Sequence, residues 1–494
     1  MLLLLQRFTS LSLSYPTGGA IFLLGTLLTL GFAPFFLWPI SILSLSGLLF
    51  FMRHASSFKQ AFFVGFLFGI GHYLTSLYWI PRAFYIDAGG QWGPAIWAGV
   101  PALCLITVIF SCFTGCITGT AYKAPKKWRT ATFIFLWLLF ELARNFPPIH
   151  FPWNPIGSIF AGNLIMMQLA SVGSVFLLSF FALLAASFLR LNYTSLVSLL
   201  LLLAGQAGFG YYRLYQSDTS FTPLTKVRLV QANIETAHKW DDVKRREFLH
   251  RHVDLMQTND PEVKHIIWPE TAVAYEVDSD TSLRQMLARH LSPYQKLTLG
   301  FLRFDFDQKK GQKAFNSIST INYRAHLSPI YDKRILVPFG ETLPFSSITQ
   351  RFLRTLSFNR ATYTSGTAPP VLDLEENLQA LPLICYETSF PFYVARHLEN
   401  QQFLLNITND NWFDGTTAPY QHFALARLRA VETGLPLVRI ANTGISAVVN
   451  GYGHIVEKLP PQKIIAKNIH IPQAISPTAW IRISLFFKEY LKKI

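Results

Sequence analysis

A series of apolar stretches fills residues 1 to about 215, and it constrains the fold more than any other feature of the chain. An α-helix needs roughly 20 residues to cross a bilayer. Seven stretches approach that length: 19–35, 38–52, 60–80, 94–122, 130–143, 166–191 and 194–212. Composition agrees, because 51% of the residues are hydrophobic and only 14% are charged. We therefore predict a transmembrane helical bundle over residues 1–216.

Basic residues lie in alternate loops between these stretches, in the groups Arg53 with Lys59, Lys123 with Lys126, Lys127 and Arg129, and Arg190. Such loops face the cytoplasm. Seven crossings that start inside leave the following chain outside, which is the periplasm in a two-membrane bacterium. The net charge of +15 fits contact with anionic lipid headgroups. Nucleic-acid binding is not expected, because no basic stripe interleaved with aromatic residues lies outside the spans.

Two ionisable residues, His72 and Glu141, lie inside predicted spans. Such residues are costly in lipid, so we expect each to face other helices or water. Contact between helices and a role in substrate binding both remain open for them.

The second half of the chain changes to short apolar strands that alternate with polar helices. The strand candidates are 226–233, 265–270, 296–304, 316–323, 380–387, 403–409 and 437–442, and helical spacing occurs over 241–257 and 420–433. This pattern predicts a layered α/β domain over residues 224–472. Residues 473–494 contain one short apolar run and are predicted to form a short membrane-crossing or interfacial segment.

Reactive side chains follow the strand candidates of this domain. Cys385 ends the run LPLIC, Glu270 ends IIWPE, and Lys333 and Glu341 lie in YDKRILVPFGE. A cysteine nucleophile needs a carboxylate to take its proton or a cation to lower its pKa. A lysine ammonium can stabilise the negative charge of a tetrahedral intermediate. Glu270, Lys333 and Cys385 therefore predict acyl transfer through a thioester.

Metal-thiolate chemistry is the alternative for a lone reactive cysteine. No second cysteine lies near Cys385 in the sequence, and no histidine pair has ligand spacing. Cys104, Cys112 and Cys116 share one apolar stretch and are interpreted as small buried hydrophobic residues. We predict neither a metal nor another cofactor.

The blocks VQANIETAHKW, IIWPET, KRILVPFGE and ICYE, followed by NITNDNWFDGTTAPYQHFALARLRAVETGLPLVRIANTGISAVV, resemble the nitrilase superfamily. More narrowly, together with the multi-span N-terminal half, they resemble its membrane-embedded branch, the apolipoprotein N-acyltransferases. The resemblance covers nearly the whole chain and implies a nitrilase-like αββα sandwich as an extracytoplasmic catalytic domain. One difference is that the family's Trp-Phe-Gly block reads Trp412-Phe413-Asp414-Gly415 here, so the glycine is displaced by one position.

The resemblance also implies residue roles. Glu270 would be the general base, Lys333 the stabiliser of the transition state and Cys385 the acylated nucleophile. Glu341 would position the lysine, and Tyr386 and Glu387 would shape the surroundings of the cysteine. Trp240 and Trp412 would lie on substrate-binding loops at the entrance, with burial in the core as the alternative for Trp240.

The reaction implied by the resemblance is a ping-pong transfer. A phospholipid acyl donor acylates the cysteine, and the α-amino group of a diacylglyceryl-cysteine on an apolipoprotein accepts the acyl chain. The expected enzyme is a monomer in the bacterial inner membrane, with its catalytic domain in the periplasm. A membrane-anchored amidase of the same superfamily would share the triad, but a soluble substrate needs no such bundle. A transporter is disfavoured because residues 1–215 show no repeated half.

Overall fold

The computed structural model describes residues 15–190, 192–216, 223–235, 238–239, 241–307, 311–338, 340–342, 363–375 and 377–493. The chain divides into two compact units. The first comprises the described residues up to Pro147 together with Pro152–Leu214, and the second comprises Pro148–Phe151 and the described residues from Tyr215 onward.

The first unit is helical. Its main helices are Tyr15–Leu28, Trp38–Arg53, Phe58–Ser76, Ile80–Asp87, Val100–Lys123, Arg129–Ala143, Ala170–Phe188 and Tyr193–Tyr215. Each of the seven predicted spans coincides with one of them, and Ile80–Asp87 is an addition. In the described chain, four helical stretches are long and apolar enough to cross a membrane, namely Phe58–Asp87, Trp92–Lys123, Met166–Phe188 and Tyr193–Tyr215. Thr17–Gly31 and Trp38–Arg53 are shorter apolar helices, so the number of crossings and their orientation stay predictions.

Small residues allow two of these helices to approach closely. A Cβ atom on Gly65 would come within 2.5 Å of the backbone oxygen of Thr114, and one on Gly69 within 2.7 Å of the Cα of Ser111. Thr118 Oγ1 donates a 2.8 Å hydrogen bond to the backbone oxygen of Ala61 across the same contact. Helices Phe58–Ser76 and Val100–Lys123 therefore pack through glycines and hydroxyls, as helices in lipid commonly do.

Both intraspan ionisable residues are buried within the first unit, as expected. The Glu141 Oε1 atom accepts hydrogen bonds from the backbone N–H of Ile156 at 2.7 Å and from Trp137 Nε1 at 3.1 Å. His72 stacks on Phe32 with ring centroids 5.6 Å apart. Both side chains therefore contact protein groups.

The described residues of the second unit form two six-stranded sheets, ordered β12-β1-β2-β3-β4-β5 and β11-β10-β9-β8-β7-β6. The strands of the first are β1 Pro223–Gln231, β2 Val263–Ile267, β3 Lys296–Asp307, β4 Gly311–Asn322, β5 Tyr331–Asp332 and β12 Ile465–Pro472. Those of the second are β6 Leu372–Glu375, β7 Leu378–Ile384, β8 Phe403–Thr408, β9 Leu437–Ala441, β10 Ala447–Val449 and β11 Ile455–Lys458. Strands β1 to β3 run parallel, as do β7 to β9.

The layers follow from three apolar clusters. The central cluster joins the two sheets through side chains such as Val227 and Ile407. Helices Asp242–Met256 and Thr281–Ala288 cover the outer face of the first sheet. Helices Pro391–His397 and Ala418–Thr433 cover the second. The result is the predicted α/β architecture in αββα order.

Several sequence boundaries needed correction. All seven predicted strands exist, but β7 ends at Ile384, so Cys385 and Glu387 lie in a 3₁₀ turn, Cys385–Ser389, rather than in the strand. Strand β2 ends at Ile267, three residues before Glu270. The C-terminal segment forms helix Ala479–Lys493, and its Ile481 packs in the same cluster as the outer helices of the second sheet.

Candidate active site

The candidate site lies where loops leave the ends of strands from both sheets. Three residues in these loops have positive φ without being glycine: Asn233 after β1 at 52°, Thr271 after β2 at 42° and Cys385 after β7 at 51°. Such conformations cost on the order of 1–3 kcal/mol each and persist only where the surroundings enforce them. Two of them adjoin or form predicted catalytic residues, so this end of the sheets is the candidate functional site.

Lys333 lies between two glutamates directly after the short strand β5. Its Nζ atom is 2.8 Å from Glu341 Oε1 and 3.6 Å from Glu270 Oε1, and only 1% of its side chain is exposed. Burial lowers the pKa of Lys333, but the charges of Glu341 and Glu270 outweigh it and raise the pKa above its ordinary value. The lysine is therefore a fixed ammonium, suited to stabilising negative charge.

Glu270 accepts hydrogen bonds on both oxygens. Oε1 accepts from Asn316 Nδ2 at 2.6 Å, and Oε2 accepts from the backbone N–H of Asn409 at 2.7 Å. Both partners are donors, which suits an ionised carboxylate. The same Asn316 amide lies 3.4 Å from Glu341 Oε1, so it bridges the two glutamates. Sequence analysis missed Asn316, because one polar residue in the alternating strand β4 carries no distinguishing signal.

Cys385 begins the 3₁₀ turn at the end of β7 and is partly exposed. Burial raises the pKa of its thiol, Glu270 raises it further, and Lys333 opposes both. The resting residue is therefore a neutral thiol. It can become a nucleophile when a neighbouring carboxylate takes its proton, and Glu270 is the carboxylate with the strongest effect on it.

Glu387 connects the lysine segment to the cysteine turn. Its Oε1 atom accepts from the backbone N–H of Arg334 at 2.8 Å and from Tyr331 Oη at 2.7 Å. Its Oε2 atom accepts from the backbone N–H of Ile384 at 2.7 Å. The side chain is fully buried, and burial raises its pKa. Glu387 thus connects the residues next to Lys333 with those next to Cys385.

The remaining sequence candidates lie around this centre. Tyr386 is buried, and its Oη donates a 3.0 Å hydrogen bond to the backbone oxygen of His150, in the short segment that belongs to the second unit. Trp412 lies half-buried in the 3₁₀ turn Asp410–Phe413 that follows β8. Trp240 lies outside the described residues. Among the described residues, no group of three or more histidine, cysteine, aspartate or glutamate side chains could hold a metal.

Comparison with known proteins matches both units. A family model described as the apolipoprotein N-acyltransferase N-terminal domain matches residues 24–188, and a carbon-nitrogen hydrolase model matches residues 226–470. The second match confirms the nitrilase-type fold of the catalytic unit. A solved amidase from Nesterenkonia sp. is 17% identical, covering 56% of this chain and 100% of its own, with a TM-score of 0.39.

Curated relatives match nearly the full length. The apolipoprotein N-acyltransferase of Rickettsia typhi is 33% identical over 96% of this chain and 95% of its own. That of Brucella melitensis is 33% identical over 87% of this chain and 84% of its own. The N-terminal match and the four long apolar helices of the described chain both indicate a membrane protein. Family models match both units, and relatives that are 33% identical cover most of the chain. The chain therefore belongs to the apolipoprotein N-acyltransferase family.

Proposed function

We propose that this protein transfers a fatty acyl chain from a phospholipid, through a thioester on Cys385, to the α-amino group of an N-terminal diacylglyceryl-cysteine on apolipoproteins. The observation that carries the proposal is the buried ammonium of Lys333 between Glu270 and Glu341 beside a cysteine nucleophile, in a chain of this family. This arrangement supplies a nucleophile, a base and a stabiliser of negative charge from side chains alone.

The first half-reaction forms the thioester. Glu270 takes the proton of the Cys385 thiol as the sulfur attacks the ester carbonyl of the phospholipid. The carbonyl oxygen becomes negative, and the Lys333 ammonium stabilises it. When the ester C–O bond breaks, Glu270 returns the proton to the leaving oxygen, which gives a lysophospholipid. Because the resting thiol is neutral, attack and proton transfer are coupled.

The second half-reaction uses the same groups in reverse. The neutral α-amine of the acceptor attacks the thioester carbonyl, and Glu270 accepts a proton from the amine nitrogen. Breaking the C–S bond releases the sulfur, which regains a proton from Glu270, and leaves an amide on the acceptor. Lys333 stabilises the second tetrahedral intermediate as it did the first. Glu341 holds Lys333 in place through the whole cycle.

The location follows from the substrates. Both are anchored in a membrane, so an inner-membrane bundle with a periplasmic catalytic unit brings enzyme and substrates to one surface. The alternation of basic loops supports this orientation. A reporter enzyme fused after residue 216 is expected to act in the periplasm, and cytoplasmic activity would refute the orientation.

Mass spectrometry of the Cys385 peptide tests the function directly. After incubation of the purified protein with phosphatidylethanolamine vesicles, we expect a fatty-acyl thioester on Cys385, and none in Cys385→Ala. Adding a diacylglyceryl peptide with a free amine should discharge the thioester and acylate the peptide. Cys116 is exposed on helix Val100–Lys123, not buried as predicted, so Cys116→Ala is the matched control and should behave as wild type. Unmodified Cys385 in a preparation that acylates the peptide would overturn the mechanism, and discharge to free fatty acid alone would favour a hydrolase.

A further inference from the structure

A second buried cluster lies behind the nucleophile, and the mechanism above does not use it. It consists of side chains from two strands of the second sheet, from the turns that follow β7 and β8, and from the covering helix. Its members are Thr388 in the cysteine turn, Asn406 in β8, Asp410 after β8, His422 in helix Ala418–Thr433 and Arg439 in β9. Each of these residues is less than 4% exposed. Titratable groups are rarely buried so deeply without a function or a tight set of partners.

The cluster converges on the backbone carbonyl of Cys385. His422 Nε2 lies 3.1 Å from that oxygen, and Thr388 Oγ1 donates to it at 3.1 Å. Asn406 Nδ2 lies farther away, at 3.5 Å. The bonded carbonyl belongs to a residue with a φ of 51°, which a cysteine does not adopt without support. These bonds therefore act on the backbone conformation that presents the thiol.

Asp410 and Arg439 orient the imidazole. The Nδ1 atom of His422 lies 2.9 Å from Asp410 Oδ1, and Arg439 Nη2 lies 2.7 Å from Asp410 Oδ2 and 3.2 Å from Nδ1. A carbonyl oxygen can only accept, so Nε2 bonds Cys385 in the form of the ring that carries a proton on Nε2, and the Thr388 hydroxyl lies 3.2 Å from the same nitrogen. Nδ1 then either donates to Asp410 or accepts from Arg439, and both arrangements fix the ring.

Charge in the cluster is nearly balanced. Burial raises the pKa of Asp410, but Arg439 and His422 outweigh it, so the carboxyl pKa is well below its ordinary value. Burial and Arg439 lower the pKa of His422, while Asp410 and the Cys385 carbonyl oppose that change. Thr408 Oγ1 donates to Asp410 Oδ1 at 3.1 Å, and the Thr408 side chain also lowers the pKa of the Cys385 thiol. The cluster thus contacts the backbone of the nucleophilic residue and influences its sulfur.

We propose that His422, oriented by Asp410, is a positioning residue for the nucleophile. Its Nε2–H group holds the Cys385 carbonyl, so that the residue keeps the left-handed conformation in which its thiol faces the lysine and the base. The same bond keeps the backbone in place when the sulfur carries an acyl group. The acylation that this conformation serves rests on the proposed function. The conformation of Cys385 itself does not.

The test compares three substitutions of His422. In His422→Gln, the side-chain amide nitrogen reaches the position of Nε2, whereas in His422→Asn it reaches only the position of Nδ1. His422→Leu removes both nitrogens. We expect the asparagine and leucine variants to acylate Cys385 about ten- to a hundredfold more slowly, the range that loss of one buried hydrogen bond permits. The glutamine variant should recover most of that loss.

A buried histidine that pairs with a partly exposed carboxylate provides the control. His265 lies in the middle of β2, and its Nε2 atom is 3.1 Å from Glu375 Oε1. His265→Leu should lower thermal stability but leave the acylation rate per folded molecule unchanged. A purely structural role for His422 predicts that its variants lose acylation only in proportion to folded protein. That outcome, or equal rates for His422→Gln and His422→Asn, would overturn the proposal.

Alkylation of Cys385 by iodoacetamide separates the two proposals. It requires a correctly presented thiol but no lipid, and the peptide mass distinguishes Cys385 from the other cysteines. The glutamine variant should react faster than the asparagine variant whether or not phospholipid acylates the protein. If wild-type Cys385 is alkylated but never acylated, the proposed function fails. If wild type is acylated and the three variants alkylate alike, the positioning function of His422 fails.

Discussion

The two units bury polar groups in different ways. In the helical unit, hydroxyls return to backbone carbonyls: Ser41 Oγ donates to Leu28 at 2.9 Å and Ser111 Oγ to Thr107 at 2.6 Å. In the catalytic unit, full charges are buried together, with Glu270 and Glu341 beside Lys333. Hydroxyl bonds within a bundle mainly permit close packing, whereas buried charges are costly unless they are paired. Changes in the first unit should therefore affect stability, and changes in the second should affect chemistry.

Among the substitutions that test this difference between the units, Lys333→Met should have the largest effect on the acylation rate. It removes the only cation that lies between Glu270 and Glu341 among the described residues, so the intermediate loses its stabilisation. Loss of one such stabilising group costs about 10²–10³-fold in rate. Breaking a buried ion pair also costs about 3–5 kcal/mol of stability. The acylation rate of Cys385 and the thermal midpoint of the protein measure the two effects separately.

The double variant Lys333→Met, Glu341→Gln is the matched control for stability. It removes one buried carboxylate together with the lysine, so part of the lost stability should return. Acylation should not return, because no cation faces the intermediate. Recovery of acylation in the double variant would show that Lys333 serves only to neutralise Glu341.

Gly65→Val should have an intermediate effect, and the effect should be on stability rather than on chemistry. A side chain there would meet the backbone of Thr114, so helices Phe58–Ser76 and Val100–Lys123 must separate. Overpacking of this kind typically costs about 1–3 kcal/mol. We expect a lower thermal midpoint in detergent and less folded protein, with an unchanged acylation rate per folded molecule.

Gly205→Val tests the same substitution without the contact. Gly205 lies in helix Tyr193–Tyr215, and a Cβ atom there has nothing within 4 Å. Its thermal midpoint should stay close to that of wild type. A slow but fully stable Gly65→Val protein would contradict the division of labour between the units.

How far the sequence could predict the structure also differs between the units. Apolar length predicted every long helix, because the bilayer sets one simple requirement. In the catalytic unit, apolar runs predicted seven strands but not the edge strands β5, β6, β11 and β12 or the inner strand β10, which are short or partly polar. Strand ends were placed too late, at Glu270 and Glu387, because the turn after each strand continues its apolar pattern.

The residues of the site divide in a similar way. The family blocks identified Glu270, Lys333 and Cys385 as site residues. The fold places Lys333 Nζ 3.6 Å from Glu270 Oε1. Asn316 and His422 were not found, since one amide in a strand and one histidine in a helix have no pattern of their own. Their importance depends on contacts with residues distant in sequence, which only the folded chain reveals.

In Glu270→Gln, the rate of Cys385 alkylation should change by the smallest factor, and the sign of that change is the informative part. Burial and the negative charge of Glu270 both raise the pKa of Cys385, so removing that charge lowers the pKa and increases the thiolate fraction at a given pH. A neighbouring charge shifts a pKa by about one unit or more, so alkylation of Cys385 by iodoacetamide at pH 8 should accelerate about tenfold. Acylation by phospholipid should slow in the same variant, because the base is gone. Glu375→Gln, a carboxylate at the edge of the second sheet, should change neither rate. Only a carboxylate that both suppresses the resting thiolate and accepts its proton during attack gives these opposite signs, so parallel changes in the two rates would remove Glu270 from the role of base.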